Sequence, residues 1–216
     1  MEIEGFHAVK HALRFAPHLV TSVRVSSYED ALALALGLAP DIADELLTRA
    51  VVGEVDHPTG ISGTANRPFT DRSVLAGRST PLVLLDHPRH PGNAGAVIRV
   101  AAAAGACGVA VLGPLDLWSP AVIRGAVGLQ FALPVMSCWL EDVEGPVYAL
   151  HAAGRRIGVL PNDAVLAVGS EREGLSTKVL ARADEVVSLP MEEGVSSLNL
   201  ATAVSAALYA WRLAQP

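Results

Sequence analysis

The chain has only two cysteines in 216 residues, Cys107 and Cys138, both inside apolar stretches and without paired or metal-ligand spacing. This argues against a disulfide scaffold or a cysteine zinc site and leaves two buried thiols as the expectation. Aromatic residues are scarce at 5% and charged residues reach only 18%, while 51% of the chain is hydrophobic. A composition dominated by Ala, Val, Leu and Gly suits α/β layers better than an all-β sandwich. No apolar run approaches the about 20 residues of a membrane-spanning helix, and the first residues, Met1-Glu2-Ile3-Glu4, are acidic where a secretion signal is basic. The expectation is a soluble, cytoplasmic protein with no membrane contact.

Excess positive charge is missing too. The formal net charge is −6, and acidic residues outnumber basic ones on both sides of residue 78. Neither half is therefore a basic nucleic-acid module, although a local patch on one face, doubled by dimerisation, stays open. No repeat of about 20–50 residues stands out, which sets solenoids and propellers aside. The dinucleotide fingerprint Gly-x-Gly-x-x-Gly is absent from the loop Gly92-Asn93-Ala94-Gly95, which argues against a nicotinamide-dependent oxidoreductase.

What is present is a two-part organisation. Periodicity predicts a helix over 5–15, a strand over 20–26, helices over 29–37 and 41–49, and a strand over 51–55 ending at the turn His57-Pro58-Thr59-Gly60. A polar, proline-broken segment follows, from Arg67-Pro68-Phe69-Thr70-Asp71-Arg72-Ser73 to Ser79-Thr80-Pro81, and places a domain boundary near residue 78. Beyond it strands are expected at 82–86, 108–112, 135–138, 156–160, 165–168 and 185–189. Helices are expected at 94–105, 120–126, 142–153 and 197–213, with a helical turn from Ser176. Alternation of this kind predicts a parallel sheet covered by helices.

Three loop motifs carry the chemistry. The first, Leu85-Asp86-His87-Pro88-Arg89-His90-Pro91-Gly92-Asn93-Ala94-Gly95-Ala96-Val97-Ile98-Arg99, is a strand, a rigid loop and a helix with Asn93 as its expected N-cap. The second, Val168-Gly169-Ser170-Glu171-Arg172-Glu173-Gly174-Leu175-Ser176, bounds a loop with glycines whose backbone amides can face a ligand. The third, Leu189-Pro190-Met191-Glu192-Glu193-Gly194-Val195-Ser196-Ser197-Leu198-Asn199, leads into a helix with Leu200, Val204, Leu208 and Trp211 on one stripe and an expected serine cap. Each motif alone also reads as ordinary caps and turns. His87 and His90 stand three apart, but in a loop crowded by Pro88 and Pro91 with no third ligand, so no metal site is expected.

In this order and spacing the three motifs resemble the signatures of the SpoU (TrmH) family of knotted methyltransferases, over roughly residues 82–213. The sequence departs from the family pattern at His90, where Asp is usual, and at Val100, where Thr is common. The resemblance implies a C-terminal deep trefoil knot, an exception to the rule that chains do not thread loops. It implies a methyltransferase domain over 79–216, and the looser likeness of 1–78 is to a small αβ RNA-recognition domain. It further implies a homodimer transferring a methyl group from S-adenosylmethionine to a ribose 2′-hydroxyl of rRNA, or of tRNA.

By the same resemblance Gly169, Leu189 and Leu198, with Met191 beside them, hold the cofactor. Arg99 matches the catalytic arginine, and a guanidinium that stays protonated fits a phosphate clamp or a stabiliser of the developing alkoxide better than a free base. Asn93, Glu171, Ser197 and Asn199 match the remaining polar positions, orienting Arg99, the loops and the incoming ribose, with a structural role for Glu171 as the alternative. Arg155, Arg156 and Arg172 are further basic residues that either meet phosphate or merely sit on the surface. A non-catalytic RNA-binding or regulatory dimer that keeps the fold is the rival reading.

Overall fold

The computed structural model describes residues 1–70 and 72–215; Asp71 of the proline-broken segment and Pro216 lie outside the described residues. The first part is a four-stranded sheet of β1 (Glu2–Glu4), β2 (Val20–Val25), β3 (Ala50–Val52) and β4 (Ile61–Ala65), in the order β1-β4-β2-β3. Helices α1 (Phe6–Phe15), α2 (Tyr28–Ala35) and α3 (Pro40–Arg49) accompany it. The expected helices and the strand near 20 are found, while β3 is shorter than the expected 51–55. Strands β1 and β4 were missed in the sequence reading. Ile61, Gly63 and Ala65 alternate inward along β4, but Gly and Ser weaken the strand signal, and pairing with β1 and β2 compensates.

The second part is a six-stranded, wholly parallel sheet in the order β10-β8-β9-β5-β6-β7. It comprises β5 (Leu82–Asp86), β6 (Gly108–Leu112), β7 (Val135–Ser137), β8 (Val147–Arg156), β9 (Val165–Gly169) and β10 (Glu185–Ser188). Its helices are α4 (Pro91–Ala104), α5 (Pro120–Ala126), α6 (Thr177–Arg182) and α7 (Leu200–Leu213). Strands β5 and β6 are buried along their whole length, as a parallel sheet covered on both faces requires. From β5 the chain winds one way to β6 and β7 and then the other way to β9 and its neighbours. That is the reversal beside which open α/β sheets bind ligands, at the carboxyl ends of their strands.

Three expectations are corrected here. Where a helix over 142–153 was expected there is a strand, β8, preceded by a short 3-10 turn at Leu140–Asp142, and the strand expected over 156–160 is not formed, since β8 ends at Arg156 and 157–160 are loop. The Ala-rich composition of β8 favours a helix, but Val147 and Ala149 point into the core at period two, and pairing with β9 and β10 overrides local propensity. The N-cap of α4 is His90, not Asn93, because Pro91 fixes a helical φ one residue after it. The cap of α7 is Asn199, not a serine; its side-chain oxygen accepts from the amides of Ala201 and Thr202 at 2.9 and 3.4 Å.

The two sheets share one apolar core that runs from Ile3 and Leu13 through Val97 and Val122 to Leu208 and Trp211. The contact is close: a Cβ on Gly128 (φ +77°) would meet the Ala8 backbone at 2.8 Å, so only glycine fits. Beside it His11 Nδ1 bonds the Val127 carbonyl at 2.7 Å, and Arg124 pairs with Glu4 at 3.1 Å. The segment between the sheets is also fastened: Arg72 donates to the Ser137 carbonyl and to Asp142, and Leu75 is buried against the second sheet. Cys138 is buried and Cys107 half-buried, both as free thiols, and burial pushes the Cys138 thiol up to about 11. Among the described residues no helix is long and apolar enough to cross a membrane.

Candidate active site

Three strands of the second sheet, β5, its neighbour β9, and β10 beyond β8, hand their following loops to one cavity. Strand β5 delivers 87–90, β9 delivers 170–175, and β10 delivers 189–199; these are the three motif loops. A fourth contribution comes from β8, whose register against β10 jumps between Ala149 and Arg155. The chain between those residues leaves its pairing with β10, and Leu150, His151 and Ala152 line the cavity there. Gly154 secures the bulge, since a Cβ there would lie 2.5 Å from the Val187 backbone, and Ser188 Oγ donates to the Gly154 carbonyl at 2.8 Å.

The cavity has a volume of about 560 Å³, within the range of ligand sites. Asn93, Gly169, Glu171, Leu189, Met191, Ser197, Leu198 and Asn199, the residues assigned from sequence, all line it. Arg99 does not. Asn93 lies in the first turn of α4, and Arg99 is six residues further on, turned to the solvent. There it makes no hydrogen bond or ion pair among the described residues. Arg155 pairs with Glu185, and neither it nor Arg156 or Arg172 lines the cavity.

One polar network joins the motifs. Asn93 Nδ2 donates to Glu171 Oε1 at 2.7 Å, Asn199 Nδ2 donates to Asn93 Oδ1 at 3.2 Å, and the Arg89 amide donates to Glu171 Oε2 at 3.2 Å. Burial pushes the Glu171 carboxyl upward, but the hydrogen bonds from Asn93, its own amide and the Arg89 amide, together with the charge of His90, outweigh it and hold the group below its ordinary value. Glu171 is thus a firmly ionised acceptor that fixes the loop ends and a weak base, in keeping with its structural alternative. Ser197 lines the cavity, exposed and without a hydrogen bond among the described residues.

Sequence reasoning assigned no role to Asp86, which is 1% exposed. Its oxygens accept from the Ser176 amide at 2.6 Å and pair with His87 Nδ1 at 2.7 Å, tying the end of β5 to the start of α6. Its signal was the carboxylate at the end of an otherwise apolar strand. His151, Leu150 and Ala203 were also missed, since they reach the cavity only through the β8 bulge and the packing of α7. Gly169 has a second reason to be glycine: a Cβ there would lie 2.0 Å from the Gly174 backbone, across the bridge that closes the second motif loop.

A family model described as the SpoU rRNA Methylase family matches residues 80–209. The chain belongs to that family. Among curated relatives, the 23S rRNA (uridine(2479)-2′-O)-methyltransferase of Streptomyces viridochromogenes is 33% identical over 193 residues, covering 81% of this chain but only 65% of its own length. Among solved structures, the SpoU methyltransferase AviRb from Streptomyces viridochromogenes, in complex with AdoMet, superposes with a TM-score of 0.80 at 24% identity over 99% of this chain and 89% of its own, a likeness of fold. An AdoMet-bound rRNA methyltransferase from Sinorhizobium meliloti superposes with a TM-score of 0.75 at 26% identity, over 98% of this chain and 86% of its own. The three loops that meet in the cavity all lie within the matched residues.

Proposed function

We propose that this SpoU-family chain transfers a methyl group from S-adenosylmethionine to a ribose 2′-hydroxyl of ribosomal RNA, with rRNA preferred to tRNA because the relative and the solved structures named above are rRNA or SpoU methyltransferases. The observation that carries the reading is the single cavity in which all three motif loops meet around the Asn93–Glu171–Asn199 network. Its wall suits the cofactor: Leu150, Val168, Leu189, Met191, Leu198 and Leu200 offer apolar surface to an adenosine, and Gly169 leaves backbone groups uncovered at one end.

Bound there, S-adenosylmethionine supplies a methyl group already activated on a sulfonium. The protein's task is to hold an acceptor hydroxyl in line with it, and positioning of that kind supplies most of the rate. Asn93, fixed from both sides, and Ser197 present polar groups to the ribose. Glu171 holds Asn93 rather than taking a proton. Arg99, free of partners and permanently charged, grips an RNA phosphate or steadies the alkoxide as it forms.

The same reading covers residues 1–78 as an RNA-recognition domain, 79–216 as the transfer domain, and passage of 189–199 beside the other cavity loops as a trefoil knot. It takes the protein as a cytoplasmic homodimer. Support for the dimer comes from Arg99 standing outside its own chain's cavity and from exposed apolar residues on or beside α7: Leu198, Tyr209 and Leu213, the last 82% exposed. A folded, active monomer by light scattering at micromolar concentration refutes it. His90, in place of the usual acid, favours the rival reading of a non-catalytic RNA-binding dimer.

One experiment separates the two readings. The protein is titrated calorimetrically with S-adenosylmethionine and S-adenosylhomocysteine, then incubated with labelled cofactor and unmodified 23S rRNA or tRNA transcripts. Saturable binding at one site per chain, with label at a ribose that resists alkaline hydrolysis, is expected. Cofactor binding without transfer to any transcript supports the rival reading, and absence of both removes the transferase reading.

A further inference from the structure

Helix α1 exposes a ladder of rings. Phe6 and His7 have centroids 5.5 Å apart, His7 and His11 6.4 Å, and His11 and Phe15 6.2 Å, each pair tilted between 34° and 59°. Lys10 Nζ stands 5.9 Å from the Phe6 centroid. The opposite face of the helix, with Ala8, Val9, Ala12 and Leu13, is buried. Of the four rings, Phe6 packs against the edge of the core and His11 is half-buried, which leaves His7 and Phe15 as the solvent-facing ones. Phe15 is 47% exposed and His7 is exposed.

The charge on α1 itself is positive, from Lys10 and Arg14, in a chain whose net charge is −6. Helix α1 contains no acidic residue. The acids at its borders are occupied, Asp41 by Arg14 and Glu4 by Arg124. His11 is held below its ordinary pKa first by burial and then by the nearby Lys10, His7 and Arg99, with its hydrogen bond to the Val127 carbonyl pulling the other way. The charge of the unpaired Arg99 is thus felt at His11, the third ring of the ladder.

We infer that the α1 ladder is a docking surface for single-stranded RNA, on which unpaired bases stack while Lys10 and Arg99 meet the phosphates. The inference rests on the RNA methyltransferase reading and adds to it the surface that leads a strand to Arg99. Tilted rings separated by one to four residues along a helix fit splayed bases, whereas a duplex hides its base faces. The local patch also accounts for how an acidic chain meets RNA with neither half basic overall.

The test uses the full-length protein, with His7→Ser/Lys10→Ser/Phe15→Ser and the single Phe15→Ser variant beside it, because Phe15 is exposed and its loss leaves the core intact. Fluorescence anisotropy follows binding of a short labelled oligoadenylate and of an RNA duplex, calorimetry follows S-adenosylmethionine, and transfer to unmodified 23S rRNA gives kcat and KM. The triple variant is expected to bind oligoadenylate about tenfold more weakly or worse, to show a smaller salt dependence, and to raise KM for RNA with kcat and cofactor affinity unchanged. Phe15→Ser gives a smaller shift in the same direction. Oligoadenylate affinity within about twofold of wild type in both variants, or no oligoadenylate binding by wild type, overturns the ladder. If transfer persists in that case, the methyltransferase reading stands; if wild type transfers nothing while the variants still lose RNA affinity, that reading falls and the ladder stands.

Discussion

The two sides of helix α4 are built on opposite terms. On the cavity side Asn93 is held by Glu171 and Asn199, and the loops around it are closed by backbone bridges and glycines that admit no side chain. On the far side Arg99 is exposed and unpaired, its charge felt at the half-buried His11 of α1, whose neighbours His7 and Phe15 face solvent. The difference follows from what each side must meet. A cofactor of fixed shape is best received by groups already in place, since every donor that need not reorganise adds to its stabilising effect. A flexible RNA strand is met by long, mobile cations and ring faces that tolerate variation in position.

The sharpest way to break this comparison is Arg99→Ala. Because Arg99 lies outside the cavity, the substitution is expected to lower transfer to RNA by about 10²- to 10³-fold while leaving the dissociation constant of S-adenosylmethionine unchanged. Transfer at the wild-type rate refutes its assignment, and a parallel loss of cofactor affinity refutes the separation of the two sides. The converse change is Gly169→Ala. Its Cβ would collide with the Gly174 backbone at 2.0 Å, so the 170–174 loop must move, and cofactor affinity is expected to fall by about 10- to 100-fold in calorimetry. Unchanged affinity there means the second motif loop does not shape the cofactor site.

The two sides were also unequally legible in the sequence. The cavity side was readable because its residues sit in three short motifs whose joint order and spacing resemble the SpoU signatures, although each motif alone reads as ordinary caps and turns. Even so, the N-cap of α4 was misplaced, since Pro91 starts the helix three residues earlier than expected, and this is why Asn93 has its side chain free for Glu171. The β8 bulge and its His151 were unreadable, because a register jump is a property of pairing with β10 and leaves no local mark. The ladder on α1 lay in plain view as Phe6, His7, His11 and Phe15, yet its meaning depends on Arg99, more than 80 residues away in the chain, and on Val127 holding α1 against the second sheet. Long-range packing of that kind is what composition and periodicity leave out.

A milder probe of the cavity side is Asn93→Ala. Glu171 then loses the strongest of the hydrogen bonds that lower its carboxyl, and Asn199 loses an acceptor. A single hydrogen bond of this kind contributes about 1 kcal/mol, so a fall in kcat of up to about tenfold is expected, with the Glu171 pKa moving upward in carboxylate NMR titration. An unchanged titration of Glu171 shows that Asn93 does not set its charge state.

The smallest expected effect joins the two sides through pH. His11 is kept below its ordinary pKa first by burial and then by Lys10, His7 and Arg99, which together outweigh the upward pull of its hydrogen bond to the Val127 carbonyl, so the unfolded chain binds its proton more readily than the folded one. Stability from this site is therefore complete above the unfolded value near 6.5 and is lost as pH falls through the lower folded value. Because His11 is only half-buried, solvent screening limits the loss to a fraction of about 1 kcal/mol. Replacing His11 with Asn, which keeps a side-chain donor and cannot take up the proton, is expected to reduce the drop in Tm between neutral and mildly acidic buffer by about 1–3 °C. An identical drop in both proteins shows that the contact between α1 and Val127 is indifferent to the charge on His11, and that the cations around the ladder do not act on one another across the two sheets.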